Sequence, residues 1–471
     1  MGRNRITESI SWRSDNPHLS GNFAPIGAEI DATGLEVLEG AIPVDLAGSY
    51  IRNGPNPRFE PTSYNYPLEG DGMLHAITFE NGQVRYRNRY VRTRSFEIED
   101  LAGHAVFGGL MTPSPVDPAL LGPDDDPENP FKASAFVGVM QHGDHLLAMG
   151  EGEPAWEIGP ELETLGPFTA GTERPIMMGA HNRVHPVTGD LFALNYDVMS
   201  PTVTIHHIGR DGRLRRSFDI RLAAASMIHD FVLTERYLVL LIGPAVFDMQ
   251  KMMEGESFIQ WRPELGLRIA VMPLDGGELR WFEADAFFVF HFANGFERGN
   301  EIVVDYVKHQ KLYFGYGERN TEPPRLHRLV LNTSTGKIRE QSWFDKVVEF
   351  PRIDERRSSV SSRYIFAPTL TETLTGGNGA SATFNCLLRV DTETGDISAH
   401  DFGNRIAGEA VFIPRGQGET AGWLATYLYD PEKGASEFVL LDADRISEAP
   451  MLRLGLPQRV PQGLHGTWVP A

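Results

Sequence analysis

The sequence predicts an all-β chain folded as a β-propeller, and three observations point there. Short apolar runs rich in Val, Ile, Leu, Phe and Tyr recur along its whole length. Asn-Gly and Asp-Gly pairs sit between such runs, the strongest short-range signal of a hairpin. Stretches with a 3.6-residue apolar period are few, so helices contribute little.

In chain order the runs are 73–91 (MLHAITFENGQVRYRNRYV), 145–151 (HLLAMGE), 189–197 (GDLFALNYD), 236–243 (RYLVLLIG), 301–307 (EIVVDYV) and 311–317 (KLYFGYG). Asn81-Gly82 divides the first. Asp211-Gly212, Asp275-Gly276-Gly277 and Thr394-Gly395-Asp396 punctuate the rest. One helical candidate covers 246–256, where Val246, Met249 and Met253 share a face. So many hairpins exceed one sandwich and suit four-stranded blades packed face to face around an axis. No repeat of about 40–50 residues is visible, which excludes a WD40 or kelch array. Loops 112–130 and 371–381 are Pro- or Gly-rich insertions, since the hairpin pattern resumes on both sides. Residues 1–471 are expected to form one domain, with 1–25 as an N-terminal extension.

Hydrophobic content is 41% and charged content 23%, values of a soluble globular protein. The net charge of -20, with no basic cluster beyond Arg356-Arg357, argues against nucleic acid and against electrostatic docking on anionic lipid. The single cysteine, Cys386, excludes an intrachain disulfide and a CxxC metal site, and fits a reducing compartment. The N-terminal stretch has no apolar signal core, and the longest apolar stretch, 237–247, falls far short of the ~20 residues of a spanning helix. A cytoplasmic protein is expected, at most peripheral on a membrane. No GxSxG, P-loop or HExxH motif signals hydrolase or nucleotide chemistry.

Among 15 histidines, context separates two groups. His142, His145, His206, His207, His309 and His400 have polar or turn-like neighbours and are expected to be solvated. His181, His229, His291 and His465 adjoin strand-like apolar segments. His291 lies in FFVFHFANGF, where its ring nitrogens must be neutral or satisfied. A metal is one way to satisfy them and a backbone carbonyl another. The gaps of 48, 62 and 174 residues cannot form a local metal loop. They can place one histidine on each of several blades, aimed at the axis.

Seven segments then carry a resemblance: NGPNPRFEP (53–61), EGDGMLHAITFENGQVRYRNRYVRT (69–93), AHNRVHPVTGDLFALNYD (180–197), MIHDFVLTERYLVLL (227–241), FHFANGFERGNEIVVD (290–305), EFPRID (349–354) and LHGTW (464–468). In content and order the chain resembles the carotenoid cleavage oxygenase family, which includes carotenoid and apocarotenoid oxygenases and lignostilbene dioxygenases. The resemblance implies a seven-bladed propeller with a loop or helical cap over an axial iron site. It implies one Fe(II) per chain on His181, His229, His291 and His465. Glu151, Glu349 and Glu409 would stand behind the ligands, accepting the other imidazole N–H; the pairing is not readable from sequence. The implied reaction adds O2 across one conjugated C=C bond to give two carbonyl products, with no catalytic residue beyond the iron site.

Two departures bear on the substrate. The family commonly has Ala-Asn-Thr-Asn where this chain has Ala135-Phe136-Val137-Gly138, so Val137 replaces a threonine beside the iron. The lignostilbene-type enzymes have a phenol-binding lysine where this chain has Gly150. By resemblance Leu68, Phe107, Phe290 and Leu464 line the substrate tunnel, and core packing is the plainer account of each. These features favour an apolar polyene, with O2 as the other partner, over a stilbene or phenylpropene. Segment 240–258 matches the family's membrane-docking region and is apolar enough for peripheral contact. A propeller without redox chemistry, binding or hydrolytic, is the alternative from outside the family. No protein partner is implied.

Overall fold

The computed structural model describes residues 5–66, 68–109, 112–254, 256–312, 322–371 and 383–471. Positions 313–317 of one expected strand, 372–381 of one expected loop and the Met253 side chain lie outside the described residues.

Seven antiparallel sheets form the blades of a propeller, with two short two-stranded sheets added. The turn chemistry holds where the sequence placed it. Asn81 (φ 50°) and Gly82 (φ 73°) join Met73–Glu80 to Gln83–Tyr90. Two successive positive φ values make the tight turn whose twist matches that of the strands, and Asn and Gly tolerate them best. Asp211-Gly212 likewise separates Thr202–Ile208 from Leu214–Arg221, and Thr394-Gly395-Asp396 separates Cys386–Asp391 from Ile397–Asp401.

Strand faces explain the packing. In Tyr237–Ile242, Leu238 and Leu240 pack toward the preceding blade while Val239 and Leu241 pack toward the following one. Successive side chains on a strand point to opposite faces. A strand sandwiched between two blades is therefore apolar throughout rather than alternating. A buried cluster of this kind fills each of the seven gaps between neighbouring blades.

The ring closes by pairing the two chain ends twice. Gly466–Pro470 adds to Gly48–Arg52 on the inner edge of the first blade, and Val37–Gly40 adds to Leu452–Gly455 on the outer edge of the last. The ion pair of Arg453 with Glu39, at 2.9 Å, joins the second contact. The N-terminal stretch packs onto the same region through Asn22, whose side-chain amide donates to Gln462 Oε1 at 2.7 Å.

Helix α1, Arg94–Ala102, is one the apolar pattern did not announce. Its signals are local instead: the Thr93 hydroxyl accepts from Phe96 N, and Gly103 at φ 74° ends it. Helix α2 covers only Met249–Met253, shorter than the expected 246–256, because Ala245–Phe247 pairs with Ile259–Trp261 as a small sheet. Part of the segment expected to touch a membrane belongs to the core. Leu240, Leu241, Ile242, Ala245 and Phe258 are core residues, and none of the large exposed apolar side chains among the described residues lies in 240–258. No helix among them is long and apolar enough to cross a membrane.

Candidate metal centre

The blades present their side chains to the axis from one recurring place, the residues just ahead of each innermost strand. His465 precedes Gly466–Pro470, His291 precedes Phe292–Arg298, His181 lies shortly before Arg183–Val184, and His229 shortly before Val232–Leu233. Glu409 holds this place before Val411–Pro414. Glu349 holds it between the bridging residues Val348 and Arg352, and Val137 holds it before Gly138–His142. Four blades thus bring imidazoles to the axis, two bring carboxylates and one brings an isopropyl group.

The four rings meet. His181 Nε2 lies 3.1 Å from His229 Nε2, and His291 Nε2 lies 3.1 Å from His465 Nε2. The ligand nitrogens of His181, His291 and His465 all fall within 4.8 Å of one another. His229 joins this trio through His181, and its ring centre is 5.3 Å from that of His291.

Behind the rings stand the three glutamates, now paired. His229 Nδ1 is 2.7 Å from Glu151 Oε1, His291 Nδ1 is 2.5 Å from Glu349 Oε2, and His465 Nδ1 is 2.8 Å from Glu409 Oε1. Among the described residues no carboxylate backs His181. Burial alone would push the Glu409 carboxyl up, but Arg352 and His465 hold it at about 2. Burial opposes the ionised form of Glu349 too, yet His291 and His309 hold it well below the usual carboxylate range. An ionised carboxylate only accepts, so each of these imidazoles must donate from Nδ1.

That fixes what faces inward. A neutral imidazole that donates from Nδ1 carries a lone pair on Nε2. Burial lowers the pKa of His291, against the pull of Glu349, which keeps its ring neutral. His181 is lowered further, by burial and then by the neighbouring His229, His465 and His291. For His229, burial is more than offset by Glu151 and the pKa ends above its ordinary value. The Nε2 atoms of His291 and His465 face each other 3.1 Å apart, each ring committed at Nδ1 to a carboxylate, an arrangement that a cation between them would fit. Metal–imidazole bonds of about 2.1 Å put adjacent ligands of one metal about 3 Å apart, close to the separation observed. An all-imidazole set suits a borderline divalent metal such as Fe(II), Zn or Cu.

The expected tunnel positions divide. Val137 and Leu464 pack with Ala180, Phe350 and Phe384, and Leu68 borders them. Phe107 packs with Ile98 and Val116, and with Val137 lines a narrow cavity of about 110 Å³. Phe290 sits edge-on to His229 (centroids 5.2 Å apart) and to His309 (5.0 Å), so it walls the histidine cluster directly. Gly150 lines neither described cavity; a Cβ there would meet Glu153 Oε1 at 1.8 Å. A wider cavity of about 860 Å³ reaches His181, His291 and His465 along the axis, past Arg183, Arg352 and Arg356.

Several histidines read as solvated are not. His142, His206 and His309 are buried. His142 Nε2 pairs with Gly209 O and His206 Nε2 with Met177 O. His309 Nε2 lies 2.6 Å from Glu349 Oε1, so one carboxylate spans His291 and His309. The polar neighbours Lys308 and Gln310 hid this; the backbone bridge from His309 to Phe288 carries the ring inward. His145, His207 and His400 are half-buried, paired with Glu157, Asp190 and the Ile446 carbonyl.

Residues 23–470 match the family described as retinal pigment epithelial membrane protein. The chain is 29% identical to carotenoid 9,10(9',10')-cleavage dioxygenase 1 of Pisum sativum, over 99% of this chain and 92% of that protein. It is also 29% identical to isoeugenol monooxygenase of Pseudomonas nitroreducens, over 97% and 98%. Among solved structures, lignostilbene dioxygenase of Pseudomonas brassicacearum superposes with a TM-score of 0.87 at 28% identity, covering 97% of this chain and 99% of that one. Cobalt-substituted apocarotenoid oxygenase of Synechocystis superposes with a TM-score of 0.85 at 27% identity, covering 96% and 98%.

Proposed function

Because the chain belongs to the retinal pigment epithelial membrane protein family, that of the carotenoid cleavage oxygenases, we propose that it holds one Fe(II) on His181, His229, His291 and His465 and cleaves a conjugated C=C bond of a carotenoid or apocarotenoid. The observation that carries this reading is the buried pair of Nε2 atoms of His291 and His465, 3.1 Å apart, with a carboxylate behind each ring. When bound there, iron(II) supplies the activation of O2 that ends with one oxygen atom on each carbon of the broken bond. The products are two aldehydes. Alkene plus O2 balances two carbonyls with no proton gained or lost, so no acid–base pair is needed.

The chain's own residues then have three tasks. Glu151, Glu349 and Glu409 accept the Nδ1–H groups of His229, His291 and His465, fixing tautomer and ring orientation and raising ligand basicity. Glu409 also accepts from Gly466 N at 2.9 Å, which ties it to the strand end of the His465 it serves, while Glu349 accepts from the N–H of its own neighbour Phe350 at 2.6 Å. Val137, Leu464, Phe350 and Phe384 make the space beside the rings apolar, so that it excludes water and receives a polyene. Phe290 holds His229 edge-on and limits where the substrate can lie.

A stilbene or phenylpropene substrate is the second reading, and the superposition on lignostilbene dioxygenase favours it. Gly150, in place of that group's lysine, weighs against it. Incubation in air with an apocarotenal and, separately, a hydroxystilbene, with the aldehydes identified by mass, distinguishes the two. Apocarotenal cleavage is expected; cleavage of the stilbene alone would reverse the assignment.

A further inference from the structure

His309 is not among the four ligands, yet the fold builds it into the ring. It follows the strand Glu301–Lys308, which pairs with Phe292–Arg298, the innermost strand that His291 precedes. Three backbone hydrogen bonds lock the two histidines to one hairpin. Val307 N donates to His291 O at 3.0 Å, Phe288 N to His309 O at 2.8 Å, and His309 N to Phe288 O at 2.9 Å. Both histidines are buried. Phe290 stands edge-on to the His309 ring, with centroids 5.0 Å apart, and so limits its tilt.

Glu349 comes from the next blade, where Val348 bridges Thr369 and Arg352 bridges Phe366. Its carboxylate sits between the two rings. Oε2 faces His291 Nδ1 at 2.5 Å and accepts from Phe350 N at 2.6 Å, while Oε1 faces His309 Nε2 at 2.6 Å. Among the described residues His309 is the only donor to Oε1. The last torsion of a glutamate is broad, so a carboxylate anchored at one oxygen can still turn its plane. Glu409 shows how the chain stops that motion at the neighbouring ligand: Oε1 meets His465, and Oε2 accepts from Gly466 N at 2.9 Å. For Glu349 the second anchor is a side chain in place of a backbone N–H.

We propose that His309 is a positioning residue of the metal centre: by donating from Nε2 to Glu349 Oε1 it fixes the plane of that carboxylate and, through it, the tautomer and direction of the His291 ring. The inference rests on the reading of the four histidines as metal ligands. The competing role is packing alone, a buried imidazole and a buried carboxylate satisfying each other at the seam between two blades. The two roles differ in what they move. Packing changes the stability of the protein whether or not metal is present. Positioning changes how tightly a metal is held and the ligand field it experiences.

The test is an anaerobic titration of the metal-free protein with Co(II), reading affinity by chelator competition and ligand geometry by visible absorption. His309→Gln places its amide nitrogen near the position of Nε2 and can still donate to Oε1. His309→Asn places its amide nearer Nδ1 and falls short, and His309→Phe keeps a ring against Phe290 but removes the donor. The phenylalanine and asparagine variants should bind Co(II) about 10-fold more weakly than the wild type, with an altered spectrum. The glutamine variant should stay within about threefold of the wild type and keep its spectrum. The asparagine variant decides the matter if the phenylalanine variant does not fold. Wild-type affinity in His309→Asn, with or without a lower Tm of the metal-free protein, would overturn the proposal, as would equal weakening in the asparagine and glutamine variants. Failure of the wild type to bind Co(II) would contradict the metal-centre reading and the His309 assignment with it, whereas tight binding unchanged in His309→Asn contradicts the His309 assignment alone.

Discussion

The axial ring and the narrow cavity beside it share a wall yet satisfy their polar groups in opposite ways. At the axis, Glu151, Glu349 and Glu409 each meet an imidazole, and Glu349 meets a second, His309. In the cavity wall, Glu153 spends one oxygen on two backbone N–H groups, one of them from a left-handed alanine, and its side chain also meets the Trp156 indole. Glu151 and Glu153 are only two residues apart, so composition does not decide their roles. What decides is which blade end each side chain meets. The carboxylates at the axis hold the imidazoles in a single arrangement, whereas the neighbouring carboxyl group is held by backbone N–H groups instead.

The largest expected effect breaks the ring itself. His291→Ala removes a central ligand and should lower retained iron at least about 10-fold and abolish cleavage, read by metal analysis after desalting and by product mass. Glu349→Gln comes next. The amide still accepts at one atom but cannot serve both His291 and His309 as an anion, so metal affinity or turnover should fall about 10- to 100-fold. Equal activity in this variant would mean that the carboxylate does not orient the ligand. Val137→Phe acts on the shared wall, adding bulk among Ala180, Phe350 and Leu464. It should cost about 1–3 kcal/mol of stability and lower kcat/KM while iron stays bound; metal loss in step with activity would contradict a purely steric role. The smallest effect should come from Val137→Thr. It restores the residue common in the family at nearly constant volume, and a change in Tm worth about 1 kcal/mol or less is expected if the new hydroxyl finds a partner.

Much of the fold was legible because hairpins are local. Asn81-Gly82 and Asp211-Gly212 announce their turns through their own φ requirements, with no tertiary information needed. Ring closure was not, since Ser49 pairs with Val469 and Glu39 with Arg453, contacts no local pattern encodes. The same division applies to the site. His291 stood out by its phenylalanine neighbours, but its partner Glu349 is 58 residues away and His309 is disguised by Lys308 and Gln310. Glu153 carried no sequence signal of its own. Its seat depends on the φ of Ala135 and on the space at Gly150, which exist only once the blade is folded. In segment 240–258, Leu240, Leu241 and Ile242 are apolar because their strand packs between two blades, a reason the local pattern does not reveal.

The central claim is that four imidazoles on the propeller axis hold one iron. Anaerobic reconstitution with Fe(II), desalting and metal analysis of the wild type and of His291→Ala test it most directly. The account predicts about one equivalent of iron per chain in the wild type and at least about 10-fold weaker retention in the variant. Less than about a tenth of an equivalent in the wild type, or equal retention in the variant, would contradict it.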